Sequence, residues 1–286
     1  MLDDKPLIVF GGPYSNLRAT EALIAEAGRR AIPAGNVICT GDIVAYCAEP
    51  EETAAAIRGW GCHVIQGNCE ESLAAGAADC GCNFEEGTAC DLLAKGWYPY
   101  ADARISDETR AWMGTLPRNL GFDYRGLSFR VVHGGVAEIA RWVFASDAAA
   151  LAEEAAAAGA DVVIAGHCGI PFIAKAGAAT WLNAGVIGMP ANDGTAEVWY
   201  ALIEPAGGGA GVRLSLRRLA YDHVAAAAAL RRMRFADGYA RTLIDGLWPS
   251  MDVLPGPERA RQGVKLRQRS VTVRPPARRR LRAAAE

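Results

Sequence analysis

Residues 37–46 read VICTGDIVAY. A short run rich in Val and Ile that stops at Gly41-Asp42 predicts a buried strand ending in a tight turn, with a carboxylate just past its end. The same grammar recurs along the chain. Pro6–Phe10 (PLIVF) runs into Gly11-Gly12-Pro13, and His63–Gln66 (HVIQ) runs into Gly67-Asn68. Phe129–Val132 (FRVV) reaches His133-Gly134-Gly135, and Val162–Ala165 (VVIA) reaches Gly166-His167. Between these strands lie helical patterns. Asn16–Arg30 places Leu17, Leu23, Ile24 and Ala27 at three- and four-residue spacing, with Asn16 as the cap and Gly28 near the stop. Glu51–Arg58, Ser106–Met113 and the Ala/Glu stretch Asp147–Ala158 read as further helices.

From residue 171 the texture turns to strands at Thr180–Asn183, Ala196–Ile203 and Val212–Leu219, followed by a helix over Tyr221–Phe235. Segment 79–91 (DCGCNFEEGTACD) has no clear period and reads as a loop. Alternating βα units followed by strands predict an α/β fold of two stacked sheets covered by helices. The expected organisation is a body over 1–220, a helical segment over 221–250 packed on it, and a flexible Pro/Arg-rich tail over 251–286.

Half of the 286 residues are apolar (51%) and 22% are charged, which excludes a wholly disordered chain. The Ala-rich run near 148–165 is broken by Glu153, Glu154 and Asp161, so no membrane span is expected. The first residues, MLDDKP, have neither the basic start nor the apolar core of a signal peptide, and a cytoplasmic location is expected. The net charge of −2 divides unevenly: the residues from Asp252 onward carry +7 and the remainder −9. Nucleic-acid binding through the nine arginines of the tail is conceivable, but a solvated tail, or one folded onto the acidic body or a neighbouring subunit, is favoured. Eight cysteines without a secretory signal read as thiols or metal ligands rather than disulfides.

Polar residues gather at the strand ends: Tyr14 and Asn16, Asp42, Asn68, His133 and His167. Ligands bind at the carboxyl ends of strands in open α/β sheets, where successive loops converge. A single Gly-Asp or Gly-Asn is more often a turn than a ligand. Asp42, Asn68, His133 and His167 together form an oxygen and nitrogen set suited to Mn, Fe, Ni or Zn.

The order of these blocks resembles the calcineurin-like metallophosphoesterases, near their small bacterial phosphodiesterase branch. The blocks are Gly12-Pro13-Tyr14, Gly41-Asp42, Gly67-Asn68-Cys69-Glu70, His133-Gly134 and Gly166-His167-Cys168-Gly169, with Leu182-Asn183-Ala184-Gly185 in support. The resemblance spans roughly 6–220 and implies a four-layer αββα sandwich with the site at the sheet edges. It also implies two metals bridged by Asp42, the second also held by Asn68, His133 and His167. The ligands of the first metal are missing: Gly12, Tyr14 and Gly169 stand where the resemblance implies Asp, His and His. Two dications 3.5 Å apart repel by roughly 20 kcal/mol at an effective dielectric of 20, and one carboxylate offsets little of that.

The expected cofactor is therefore one divalent transition-metal ion per chain, and the expected substrate a small phosphorylated molecule, with a homo-oligomer possible. A phosphodiester or phosphomonoester hydrolase is favoured over a catalytically silent protein that binds a phosphorylated ligand or partner. Cys69 stands at the implied position of the acid that assists the leaving group, with Glu70 beside it to tune its pKa. A small buried thiol is an equally ordinary reading of Cys69. Tyr14, Asn16 and Arg141 are the candidate substrate-binding residues, with Trp142 beside Arg141, although helix residues of no special role are the commoner reading of that pair. Cys47, Cys80, Cys82 and Cys90 fit no ligation spacing, and a separate metal or iron–sulfur site there is the minor reading.

Overall fold

The computed structural model describes residues 5–233 and 237–275. It begins with β1 (Leu7–Phe10), α1 (Leu17–Arg29), β2 (Val37–Cys39), α2 (Pro50–Trp60) and β3 (His63–Val64). All four residues of β1 are buried, because both faces of its sheet are covered: Leu7 and Val9 enter the core between the sheets, while Ile8 and Phe10 pack under helices. The Asn16 side chain accepts from Ala19 N and starts α1, whose Ala19, Leu23 and Ala27 face the same helical core. Next come α3 (Asn68–Ala75), α4 (Ala89–Asp102), α5 (Asp107–Gly114) and the hairpin β4 (Asn119–Tyr124) and β5 (Leu127–Val132). Then follow α6 (Ala148–Ala158), β6 (Val162–Ala165), β7 (Phe172–Ala176), β8 (Ala179–Asn183), β9 (Val198–Pro205) and β10 (Val212–Leu219). The C-terminal part holds α7 (His223–Leu230), α8 (Asp237–Asp245), α9 (Gly256–Arg259) and β11 (Ser270–Val273).

The strands form a six-stranded sheet, β11-β10-β9-β1-β2-β3, and a five-stranded sheet, β4-β5-β6-β8-β7. The parallel pairs β5/β6 and β6/β8 form the middle of the five-stranded sheet, between antiparallel β4 and β7. The parallel pairs β1/β2 and β2/β3 end at the β3 edge of the six-stranded sheet, with antiparallel β9, β10 and β11 on the other side. On β6, Val162 and Ile164 face the other sheet, while Val163 and Ala165 meet Leu151 and Ala155 of α6. That alternation yields four layers, helix, sheet, sheet and helix, as expected. No described helix is long and apolar enough to cross a membrane.

Three expectations change. The helices α3 and α4 were not anticipated: Gly96 and Pro99 lie inside α4 and read as breakers, yet the buried Trp97, Tyr98 and Ala101 hold that helix together. The 79–91 loop therefore ends where α4 begins, at Ala89. The single helix expected over 221–235 is α7, which stops at Leu230, and the end of the expected span lies outside the described residues.

The tail is the larger correction. Residues 251–275 are not a free arm: β11 pairs antiparallel with β10, Val273 opposite Val212 and Ser270 opposite Ser215. Gly263 N donates to Asn192 O at 2.9 Å, and Leu266 N donates to the buried Asp193 carboxylate at 3.0 Å. The sequence offered only a Ser-Val-Thr-Val stretch among arginines, whereas the unpaired edge of β10 supplies the backbone partners that order it. Residues 276–286 lie outside the described residues.

A candidate metal centre at the strand ends

Asp42, Asn68, His133 and His167 follow β2, β3, β5 and β6, all at carboxyl ends of parallel strands, where the two sheets meet. Gly41 makes the approach possible. Its φ of +93° suits glycine, and a Cβ there would lie 2.5 Å from Gly67 N. Asp42 and His167 both sit at φ +59°, a left-handed conformation that non-glycine residues adopt at a cost of order 1–3 kcal/mol. The surrounding packing holds both side chains aimed at one point.

The four side chains are nearly inaccessible, Asp42 and His167 being 4% and 5% exposed and Asn68 and His133 1% each. His133 Nδ1 lies 2.6 Å from Thr40 O. A carbonyl only accepts, so Nδ1 carries the proton and Nε2 of the neutral ring presents a lone pair. Nε2 lies 3.0 Å from Asn68 Oδ1, 3.1 Å from His167 Nδ1 and 3.3 Å from Asp42 Oδ2. Asn68 Nδ2 donates to Cys80 O at 2.8 Å, which turns its oxygen into the cluster. Two acceptor-only oxygens and two ring nitrogens thus crowd one spot and require positive charge among them. Ligand atoms about 2.1 Å from one ion lie roughly 3.0–3.4 Å apart, so the spacing fits a transition metal. Among the described residues, Asp42, His133 and His167 form the one His/Cys/Asp/Glu group close enough to hold an ion.

The electrostatics agree. Burial opposes the charge of Asp42, but the facing His133 and His167 hold its carboxyl below the usual range. Burial likewise disfavours protonated His133, yet the Asp42 charge and hydrogen bond raise it. His167, buried and beside His133, is pushed down to about 3, leaving a bare imidazole of the kind metals bind.

The other half of the site is filled by aromatic rings. A Cβ on Gly12 would lie 2.6 Å from Cζ of Tyr14, so the Tyr14 ring occupies the space a side chain at position 12 would take. A Cβ on Gly169 would lie 3.1 Å and 3.2 Å from two carbons of the Trp248 indole. Burial and then the Asp42 charge push the Tyr14 phenol well above its ordinary value, which keeps it neutral and argues against a phenolate ligand.

Several expected site residues serve the scaffold instead. Glu70 is fully buried, and its carboxylate accepts from Asp42 N at 2.7 Å, Ile43 N at 2.7 Å and Gly67 N at 2.9 Å. It braces the two metal-binding loops, and its charge adds to the causes that raise the Cys69 thiol. Burial and the Asp42 charge push Glu70 itself up to about 7, against three N–H donors that favour the anion. Asn16, 1% exposed, has both ends of its amide engaged, by Ala19 N and by Gly188 O. It is a cap and a strut, not a substrate ligand. Arg141 pairs with Glu153 and Glu154, both at 2.6 Å, and Glu154 also accepts from Val136 N, so Arg141 ties the 134–147 loop to α6. Arg141→Ala is expected to lower stability by about 1–3 kcal/mol through the buried Glu154, which thermal denaturation checks.

Cys69 is 1% exposed, and its backbone N–H donates to Asp42 Oδ1 at 3.4 Å. A hydrogen bond with Cys82 pulls the Cys69 thiol down, but burial and the Asp42 charge leave it well above its ordinary value, so it stays protonated. The grouping of Cys47, Cys80, Cys82 and Cys90 does not form. Cys47 faces Gly188 O, Cys90 faces Ser250 Oγ, and Cys82 reaches the site, 3.2 Å from Asn68 Nδ2. All eight cysteines are free. Sequence reasoning named Cys82 only within that separate grouping, and missed Tyr239 and Trp248 because the segment over 221–250 lies outside the resemblance and gave no signal. Trp142, named only beside Arg141, packs its ring 4.1 Å from that of His167.

The profile of the calcineurin-like phosphoesterase superfamily domain matches residues 15–206, and the chain belongs to that superfamily, whose members are metal-dependent phosphoesterases. A metallophosphoesterase from Sphaerobacter thermophilus is structurally similar, with a TM-score of 0.67 at 19% identity, over 86% of this chain and 100% of that one. The hypothetical protein PH1004 from Pyrococcus horikoshii OT3 superposes with a TM-score of 0.70 at 17% identity, over 85% of this chain and 99% of the other. At these identities the likeness is one of fold. No curated protein matches the sequence.

Proposed function

We propose that the chain hydrolyses a phosphomonoester or phosphodiester of a small molecule, using one divalent transition-metal ion held by Asp42, Asn68, His133 and His167. The observation that carries this reading is the convergence of three electron-rich atoms, Asn68 Oδ1, His167 Nδ1 and Asp42 Oδ2, on a fourth, His133 Nε2, while aromatic rings fill the neighbouring half of the site. Such an ion polarises a phosphoryl oxygen and brings the pKa of a coordinated water toward neutrality.

The chain's own residues do the rest. Thr40 O fixes the His133 tautomer, and Glu70 holds the backbone of Asp42 and Gly67 so that the donor atoms are pre-set before substrate arrives. The Cys69 thiol, kept protonated beside Asp42, is the proton donor for the leaving oxygen. The neutral Tyr14 phenol lies where the resemblance implies the first metal, and it binds substrate as a hydrogen-bond donor without adding charge.

The filled half-site also favours a second reading, a silent member that retains the pocket to bind a phosphorylated ligand. Turnover of bis-aryl and mono-aryl phosphates with added Mn²⁺, measured side by side for wild type and Asp42→Ala, separates the two. Metal-dependent turnover lost in Asp42→Ala supports the hydrolase. Turnover that survives the substitution, or none in either protein, removes it.

A further inference from the structure

Beside the candidate metal centre lies a cleft, open to solvent on one side, whose lining includes His167, Tyr14, Tyr46, Trp142, Tyr239 and Trp248. Among the described residues, no Arg, Lys, Asp or Glu side chain contributes to that lining. The rings brace one another: Tyr14 and Tyr46 meet edge to face at 4.7 Å, and Tyr46 and Tyr239 lie 4.9 Å apart. Two of the walls come from beyond the superfamily match at 15–206: Tyr239 from α8 and Trp248 from the segment after it. Trp248 is pinned, its N donating to Asn192 Oδ1 at 2.8 Å and its Nε1 to Pro190 O at 2.6 Å. That anchoring sets the indole against Gly169, where even a Cβ would press on it at 3.1 Å.

We propose that the C-terminal segment, with Tyr14 and Trp142, makes this cleft a binding site for the uncharged aromatic group of the phosphoester. The proposal rests on the phosphoesterase reading for the phosphorus end of the ligand. His167 belongs both to the cleft wall and to the metal-ready cluster, so a ligand whose phosphoryl oxygens meet the cluster has its organic group in the cleft. Ring faces and edges on several sides favour a planar ring by stacking and edge-to-face contact. A lining without counter-charge rejects a second anionic group, which would be desolvated and left unpaired. The site accordingly takes aryl-type esters and discriminates against polyphosphates.

Titration calorimetry of the Mn²⁺-loaded full chain with three non-hydrolysable probes tests this. Phenylphosphonate is expected to bind roughly tenfold or more tightly than methylphosphonate, the advantage of burying one ring. 4-Carboxyphenylphosphonate is expected to lose that advantage. In Trp248→Leu the preference for the phenyl probe collapses, whereas Trp248→Phe retains most of it. Circular dichroism and metal content establish that both variants are folded.

Equal binding of phenyl- and methylphosphonate, a carboxyphenyl probe that binds as well as the phenyl one, or a preference that survives Trp248→Leu overturns the proposal. Metal-dependent turnover measured in parallel keeps the two readings apart. A phenyl preference without turnover supports the cleft and sinks the hydrolase, while turnover without a phenyl preference does the reverse.

Discussion

Purified protein equilibrated with Mn²⁺ or Zn²⁺ and freed of excess is expected to carry close to one ion per chain, and Asp42→Ala close to none. Asp42 is the one carboxylate in the cluster, and the remaining donors, Asn68, His133 and His167, are neutral when they bind. Removing the anion deletes a ligand and leaves the ion's charge uncompensated in a site whose walls are at most 5% exposed. Outer-shell substitutions alone cost about 10–100-fold in metal affinity, so loss of this inner ligand is expected to cost a hundredfold or more. His167→Ala should behave similarly, because it removes a nitrogen already stripped of its proton by burial. Metal analysis by mass spectrometry decides the matter. Two ions per chain would contradict the placement of the Tyr14 and Trp248 rings beside Gly12 and Gly169, and a full ion in Asp42→Ala would place the metal elsewhere.

Glu70→Gln is expected to be the most destabilising single substitution at the site. The carboxylate accepts three backbone N–H groups from two loops, and none of the three has solvent to turn to. An amide turns one acceptor into a donor and leaves at least one N–H facing another. Each orphaned buried donor costs about 1–3 kcal/mol, and losing the charge weakens the bonds that remain, so a loss of about 3–5 kcal/mol is expected. In a chain of this size that lowers Tm by on the order of 10 °C. Metal affinity should fall with it, since the braced groups include the backbone of Asp42 and of Gly67, next to Asn68. Calorimetry of the metal-free variant isolates the structural part, and a Tm within a degree or two of wild type would show that Glu70 is not the brace its contacts describe.

Much of the architecture was legible because the parallel strands are short, apolar and each closed by glycine. Covering both faces of a sheet leaves no alternation to misread, and β1, β2, β5 and β6 fall close to where VICTGD and its relatives put them. The candidate metal-binding residues were legible only as a set: one polar residue after a buried strand is more often part of a turn, whereas four at successive strand ends share one edge of the sheets. What was not legible depends on tertiary partners. Helix α4 survives Gly96 and Pro99 because Trp97 and Tyr98 are buried, and β11 exists because β10 offers an unpaired edge. Glu70 was misassigned because a carboxylate in a site motif looks the same in sequence whether it meets substrate or backbone. Arg141 was misassigned because nothing in its neighbourhood announces a pair with Glu154 thirteen residues on. Trp248 lay outside every motif.

Strand β1 precedes every other described strand along the chain, yet it lies inside its sheet, between β2 and β9. Leu7 pairs with Ile203 and Val9 with Ala201, partners roughly two hundred residues away along the chain. Pairings this distant slow folding, because the loop must close before any contact rewards it. Until β9 pairs with it, one edge of β1 stays open, and an unpaired strand edge of that kind is where partly folded chains aggregate.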